Sequence, residues 1–212
     1  KRVLELAVQY QTLVVEDDPY GDLYFDAPPP DSLLALSSQV EGSAQWLAHC
    51  GSLSKILSPG LRLGWLVAPP DLLAKAVMCK QFSDANTSTL AQATAAAYLQ
   101  SGRLPQAVQQ VRSVYAQRAS TMAACLKREL GDAVSFTQPQ GGMFFWVRLT
   151  GADGRCADSQ VFAQRAIEKL VAFVPGAPFF AQNPDVSCLR MSFATTNLEK
   201  IEEGVLRLAQ AL

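Results

Sequence analysis

Histidine occurs once in these 212 residues, at position 49, and that scarcity removes most triad-based hydrolytic chemistry. A Ser-His-Asp arrangement would have to use His49. It lies in the apolar run Trp46-Leu47-Ala48-His49-Cys50 and reads as a packed strand residue with no catalytic task. No cluster of metal-ligating side chains occurs, so no metal site is expected. Cysteine is sparse too. The five at 50, 79, 125, 156 and 188 are odd in number and include no Cys-x-x-Cys, which reads as reduced thiols in a cytoplasmic setting. Excess charge of one sign is missing: the net charge is −1, without the basic footprint that nucleic acid requires. No run is long and apolar enough to span a bilayer, and no secretory leader is visible. The formal glycosylation sequon Asn86-Thr87-Ser88 is accordingly read as incidental.

What is present suits a globular chain with a real core, since 49% of the residues are apolar and only 17% are charged. Lys1 to Tyr10 has the spacing of an amphipathic helix with Val3, Leu4, Leu6 and Ala7 inward. Apolar runs at Leu13–Glu16, Gln45–Cys50 and Arg62–Ala68 read as strands, and their alternation with helix predicts the edge of an α/β sheet. The three prolines within Asp26–Asp31 mark a loop. Asp71 to Gln100 is helix-forming, with a polar break at Ser83–Thr89 where the domain crossing is placed, and Ser101-Gly102 ends it.

Beyond this point Val108, Val111, Tyr115, Met122, Leu126 and Leu130 recur at helical intervals, predicting a long helix stopped by Gly131. Strands are expected at Val134–Thr137, Met143–Leu149, Val171–Val174 and Leu189–Phe193, and a helix at Ser159–Leu170. A closing helix should begin at the capping box Thr196-x-x-Glu199 and bury Leu198, Ile201, Val205, Leu208 and Leu212. Helices on a small, largely antiparallel sheet make this second domain α+β.

Three stretches carry chemistry. The first is Gly51-Ser52-Leu53-Ser54-Lys55 followed by Ser58-Pro59-Gly60-Leu61-Arg62-Leu63-Gly64-Trp65. It sets one lysine among apolar neighbours, with two hydroxyls before it and a guanidinium seven residues after. A lysine amine attacks a carbonyl carbon only when unprotonated, and hydroxyls plus an arginine can together hold a phosphate. That combination suits pyridoxal phosphate, PLP. Taken alone, Lys55 would be an ordinary surface lysine in a turn. A Ser52-x-x-Lys55 dyad of the penicillin-binding type would need Ser-Asp-Asn and Lys-Thr-Gly, and neither occurs.

The second stretch, Leu13-Val14-Val15-Glu16-Asp17-Asp18-Pro19-Tyr20, reads as a strand delivering carboxylates at its C-terminal end, where α/β sheets place their ligands. Asp18 reads as a solvated or turn carboxylate, because Pro19 takes the chain out of regular structure. The third is Cys188-Leu189-Arg190-Met191-Ser192-Phe193-Ala194, a short strand with one arginine breaking an apolar run. A buried guanidinium is expensive unpaired, so Arg190 should meet an anion, either a nearby Asp or Glu or a ligand.

Together these motifs resemble the class I/II aminotransferases, PLP enzymes of fold type I. The form Glu-Asp-Asp-Pro-Tyr is most similar to the subgroup acting on 2-aminoadipate and kynurenine. The resemblance implies that Lys55 forms the Schiff base with PLP. It implies that Asp17 pairs with the pyridine nitrogen, that Tyr20 bonds the ring oxygen, and that Ser52, Ser54 and Arg62 hold the phosphate. Arg190 would fork onto the substrate α-carboxylate. The Gln138–Met143 loop, with its adjacent glycines, and the Val174–Phe180 loop would lie near the substrate pocket.

The resemblance also implies amino acid and 2-oxo acid substrates, a homodimer, and a chain that is the C-terminal portion of a family member. Residues 1–85 would then be the C-terminal part of the PLP-binding large domain, and 86–212 a linker helix with the small α+β domain. Rival readings are an aminotransferase-like effector body of a PLP-sensing transcriptional regulator and, within PLP enzymes, a decarboxylase or β-lyase.

Overall fold

The computed structural model describes residues 1–151 and 157–212, so Cys156 lies outside the described residues. The chain divides into two compact units, Lys1–Val111 and Arg112–Leu212.

In the first unit, helix α1 (Arg2–Tyr10) buries Leu4 and Ala7 and packs on the 3-10 turn Ser43–Trp46. Val3, expected inward, is exposed, because the buried stripe is centred on Leu4 and Ala7 and Val3 falls on its flank. The helix stops at Gln11, which adopts the left-handed conformation with φ 49°. Strands β1 (Val14–Asp18), β2 (Leu47–Ser52) and β3 (Gly64–Val67) form a sheet in that order, β1 parallel to β2 and β2 antiparallel to β3. β2 starts two residues later than the sequence suggests, since Gln45 and Trp46 belong to the 3-10 turn.

The β1–β2 connection contains the proline loop and the single-turn helix α2 (Leu33–Leu36), capped by Ser32, whose hydroxyl accepts from the Ala35 amide at 3.1 Å. Helix α3 (Pro70–Ser83) opens on proline, whose missing N–H costs nothing there. It buries no residue within its unit, leaving Leu73, Val77, Met78 and Phe82 exposed. Helix α4 (Thr89–Gln100) closes at Ser101, followed by Gly102 with φ 68°. Its Ala91 and Ala95 pack with Leu53, Ile56, Leu57, Leu61 and Leu63, a small apolar core directly beneath the lysine turn.

The long helix α5 (Leu104–Leu130) ends at Gly131, left-handed as its C-terminal position demands. In the second unit, β4 (Val134–Phe136), β5 (Phe144–Leu149), β6 (Val174–Pro175) and β7 (Cys188–Ser192) build an antiparallel sheet of order β4-β5-β7-β6. Helices α6 (Ser159–Glu168) and α7 (Leu198–Ala209) complete the unit, whose core holds fully buried Phe145 from β5, Phe162 from α6 and Phe193 just after β7. Phe145 and Phe193 meet edge to face at 5.8 Å, and Tyr115 of α5 meets Phe193 edge to face. Phenylalanines buried this completely contribute about 2 kcal/mol each, which makes them the unit's main apolar anchors.

Two further local expectations fail. The strand at Val171–Val174 shrinks to Val174–Pro175, because Leu170 turns left-handed at φ 61° and the Val171 amide closes α6 on the Ala166 carbonyl. α7 is capped by Asn197 and not Thr196: its side chain accepts from the Lys200 amide at 3.0 Å, and Leu212 stays exposed. Among the described residues no helix is long and apolar enough to cross a membrane.

Candidate active site

Strand register sets the site. β1 and β2 run parallel with Asp17 opposite Cys50 and Asp18 opposite Gly51, while Ser52 faces Gly64 at the start of antiparallel β3. The C-terminal ends of β1 and β2 and the entry to β3 therefore share one edge of the sheet. That edge gathers Asp17, Ser52 and the turn bearing Ser54 and Lys55, with Arg62 two residues before β3. Tyr20, in the turn after β1, is exposed at the same edge. Arg190 stands in the second unit, on β7.

Three successive acids on β1 point in alternate directions, as strand geometry requires. Asp17 shares the open face with Val15, and its carboxylate bonds to no described residue. Glu16 faces the other way and is largely buried. Its carboxylate accepts from the Leu33 amide at 2.6 Å and the Leu34 amide at 3.2 Å, and meets His49 Nδ1 at 2.8 Å. Burial alone would push this carboxyl up, but the two amides and the imidazole together hold it below the usual carboxylate range. Asp18 accepts from the Gly21 amide at 2.7 Å, the turn carboxylate that the following proline suggested.

The lysine turn is fixed from both ends. The Leu53 amide reaches the Leu63 carbonyl at 3.0 Å, and the amides of Leu57 and Ser58 converge on the Leu53 carbonyl at 2.9 and 3.1 Å. Leu53 and Leu63 are buried in the core below, so the turn has little freedom to reorganise. Lys55 is half-buried and has no carboxylate partner among the described residues.

Ser52 is partly committed, accepting from the Ser54 amide at 3.1 Å and donating to the Leu63 carbonyl at 3.4 Å, whereas the Ser54 hydroxyl engages no described group. Arg62 is left-handed at φ 52° and gives one bond, to the Pro59 carbonyl at 3.3 Å, leaving its other donors open. Ser52 and Arg62 line separate open cavities. One, of about 430 Å³, holds Asp18, His49, Ser52 and Trp65; the other, of about 440 Å³, holds Arg62 beside Asp84 and Thr87.

Gly51 is required by contact. A Cβ there would lie 2.1 Å from Cζ2 of Trp65, whose indole covers the glycine from β3. The Glu16–His49 pair and this indole contact escape a linear reading, because both depend on cross-strand register. The first of three successive acids closing an apolar run, with one histidine in the chain to meet it, was the available signal.

On the second unit's sheet, Phe144, Trp146 and Arg190 project from the outer face, away from Phe145, Val147, Leu189 and Met191. Arg190 meets no acid among the described residues; its guanidinium instead lies over the rings of Phe144 and Phe179. The nearby loops are tightly built. Gly142 is left-handed at φ 73°, and a Cβ on Gly176 would lie 2.6 Å from the Cys188 carbonyl oxygen.

A family model described as aminotransferase class I and II matches residues 1–208. Over all 212 residues the chain is 40% identical to a 2-aminoadipate transaminase from Thermus thermophilus and 37% identical to aromatic-amino-acid aminotransferase 1 from Thermococcus litoralis, covering 52% and 49% of them. The crystal structure of an α-aminoadipate aminotransferase from Thermus thermophilus, complexed with N-(5'-phosphopyridoxyl)-L-leucine, superimposes with a TM-score of 0.89 at 40% identity. It matches 100% of this chain and 52% of that one. The chain thus spans about half the length of the curated relatives it matches.

Proposed function

Because the chain belongs to the class I and II aminotransferases, we propose that it carries the lysine, acid and phosphate-clamp half of a PLP-dependent transaminase. The enzyme moves an amino group from an amino acid to a 2-oxo acid such as 2-oxoglutarate. Large donors of the 2-aminoadipate, kynurenine and aromatic kind fit best, given the names of the relatives. A homodimer is the proposed assembly.

The reading is carried by the strand order, which sets the ends of β1 and β2 and the entry to β3 at one sheet edge. Asp17 and Lys55 there have no charged partner among the described residues, and Arg62 keeps open donors, although Ser52 and Arg62 line separate cavities. This donor set fits PLP in charge and kind. The bound cofactor would supply an electron-withdrawing ring able to take up negative charge from the substrate Cα.

Lys55 would hold the cofactor covalently through its amine. Once displaced by the substrate amine, Nζ would act as the base that takes the proton from the substrate Cα and returns it. Asp17 would face the pyridine nitrogen and keep it protonated, which favours the charge-accepting ring. The Tyr20 hydroxyl would donate to the ring oxygen. Ser52, Ser54 and Arg62 would bind the phosphate; the bond already made by Ser52 leaves Ser54 and Arg62 the freer donors. Arg190 would take the substrate α-carboxylate in the bidentate fork that lysine lacks.

The test is Lys55→Ala in the intact enzyme reconstituted with PLP. Loss of the cofactor's imine absorbance together with loss of 2-oxo acid production is expected; retained absorbance with full turnover would overturn the assignment. An amino-donor screen with 2-oxoglutarate separates transamination from decarboxylation or β-elimination. A basic helix-turn-helix encoded upstream, with no turnover, would favour the regulator.

A further inference from the structure

Arg190 is held by an unusual set of neighbours. Its guanidinium carbon lies 4.3 Å from the centroid of the Phe144 ring and 4.8 Å from that of Phe179. Phe144 comes from β5, adjacent to β7, and Phe179 from the 3-10 turn Ala177–Phe179 that follows β6. Trp146, directly across from Arg190 in register, braces Phe179 edge-on at 5.6 Å. The Nε atom is buried and has no hydrogen-bond partner, and no acid pairs with the guanidinium among the described residues.

These facts point one way. Ring faces attract a planar cation through their quadrupole without neutralising it. A carboxylate in the same role would cancel the charge and occupy the donors, so an incoming acid would have to displace it. Neutral rings restrain the side chain while leaving its hydrogen-bonding edge available. An arginine already restrained loses less rotamer freedom when a ligand binds.

We infer that Phe144 and Phe179 are positioning residues that restrain the Arg190 guanidinium, uncompensated in charge, for a planar carboxylate. The inference rests on the proposal that Arg190 takes the substrate α-carboxylate. Phe179, half exposed, restrains it from the solvent side.

The experiment uses the intact enzyme and four variants: Phe144→Leu, Phe179→Leu, Phe179→Tyr and Arg190→Ala. Calorimetric binding of 2-oxoglutarate is measured beside KM, kcat and Tm. Each leucine variant should raise Kd and KM about fivefold, the scale of one cation–π contact, with kcat within about twofold of the parent. Phe179→Tyr should restore binding to within about twofold, because its ring face is kept. Arg190→Ala should weaken binding at least about 30-fold, having lost a charged hydrogen-bonding partner. If Arg190→Ala binds like the parent, the role of Arg190 itself falls, and this inference with it. If Arg190→Ala fails while the leucine variants bind like the parent, the positioning role alone is overturned. Weakened binding that tyrosine leaves unrescued, with a fall in Tm, would mark plain packing and overturn it too.

Discussion

Replacing Glu16 with alanine tests the buried pair beside the site. The carboxylate serves three groups at once: two backbone amides at 2.6 and 3.2 Å and the imidazole at 2.8 Å. The side chains are only 17% exposed for Glu16 and 10% for His49, so water replaces these bonds poorly. An abandoned buried donor costs about 1–3 kcal/mol, and relaxation of the Leu33–Leu36 turn should recover part of the sum, giving about 3 kcal/mol for Glu16→Ala. Glu16→Gln keeps an acceptor oxygen and should cost about 1–2 kcal/mol.

The assay is urea unfolding of the intact enzyme at several pH values. Because the folded carboxyl sits below its ordinary range, the unfolded chain binds the proton more readily. The stabilisation is then fully present above the unfolded value of about 4.3 and fades as pH falls through the lower folded value. The gap between parent and Glu16→Gln should therefore narrow below about pH 4. A Glu16→Ala variant within about 0.5 kcal/mol of the parent at pH 7, or a gap that widens on acidification, would refute the reasoning.

Two other substitutions separate local causes. Gly51→Ala places a methyl against the Trp65 ring and should cost about 1–3 kcal/mol by denaturant unfolding; if sterics are the cause, a Trp65→Ala background should remove most of that cost. Asn197→Ala should destabilise by about 1 kcal/mol in the same assay, while Thr196→Ala should change stability by less than about 0.5 kcal/mol.

Much of the fold was legible from local pattern. The period of Met122, Leu126 and Leu130 and the stop at Gly131 describe the end of α5 as found, and Pro19 foretold the fate of Asp18. What escaped was decided by competition or by distance along the chain. Thr196 and Asn197 are both good caps, and only the geometry of the first turn chooses between them. Val171 has the composition of a strand, but its amide is claimed by the end of α6. His49 and Glu16 are 33 residues apart, and nothing local in either announces the other. At the candidate site the motifs foretold the strands that carry Asp17, Ser52 and Arg190, whereas the aromatic surroundings of Arg190 come from a neighbouring strand and a distant turn.

Strand β1 sends three neighbouring acids to three different tasks simply by alternating sides. Inserting or deleting one residue between Thr12 and Glu16 would turn the open-face carboxylate toward the histidine and leave the amides of Leu33 and Leu34 facing the wrong atom. This stretch can therefore vary in its letters more readily than in its length, and its spacing is the property that inheritance must keep.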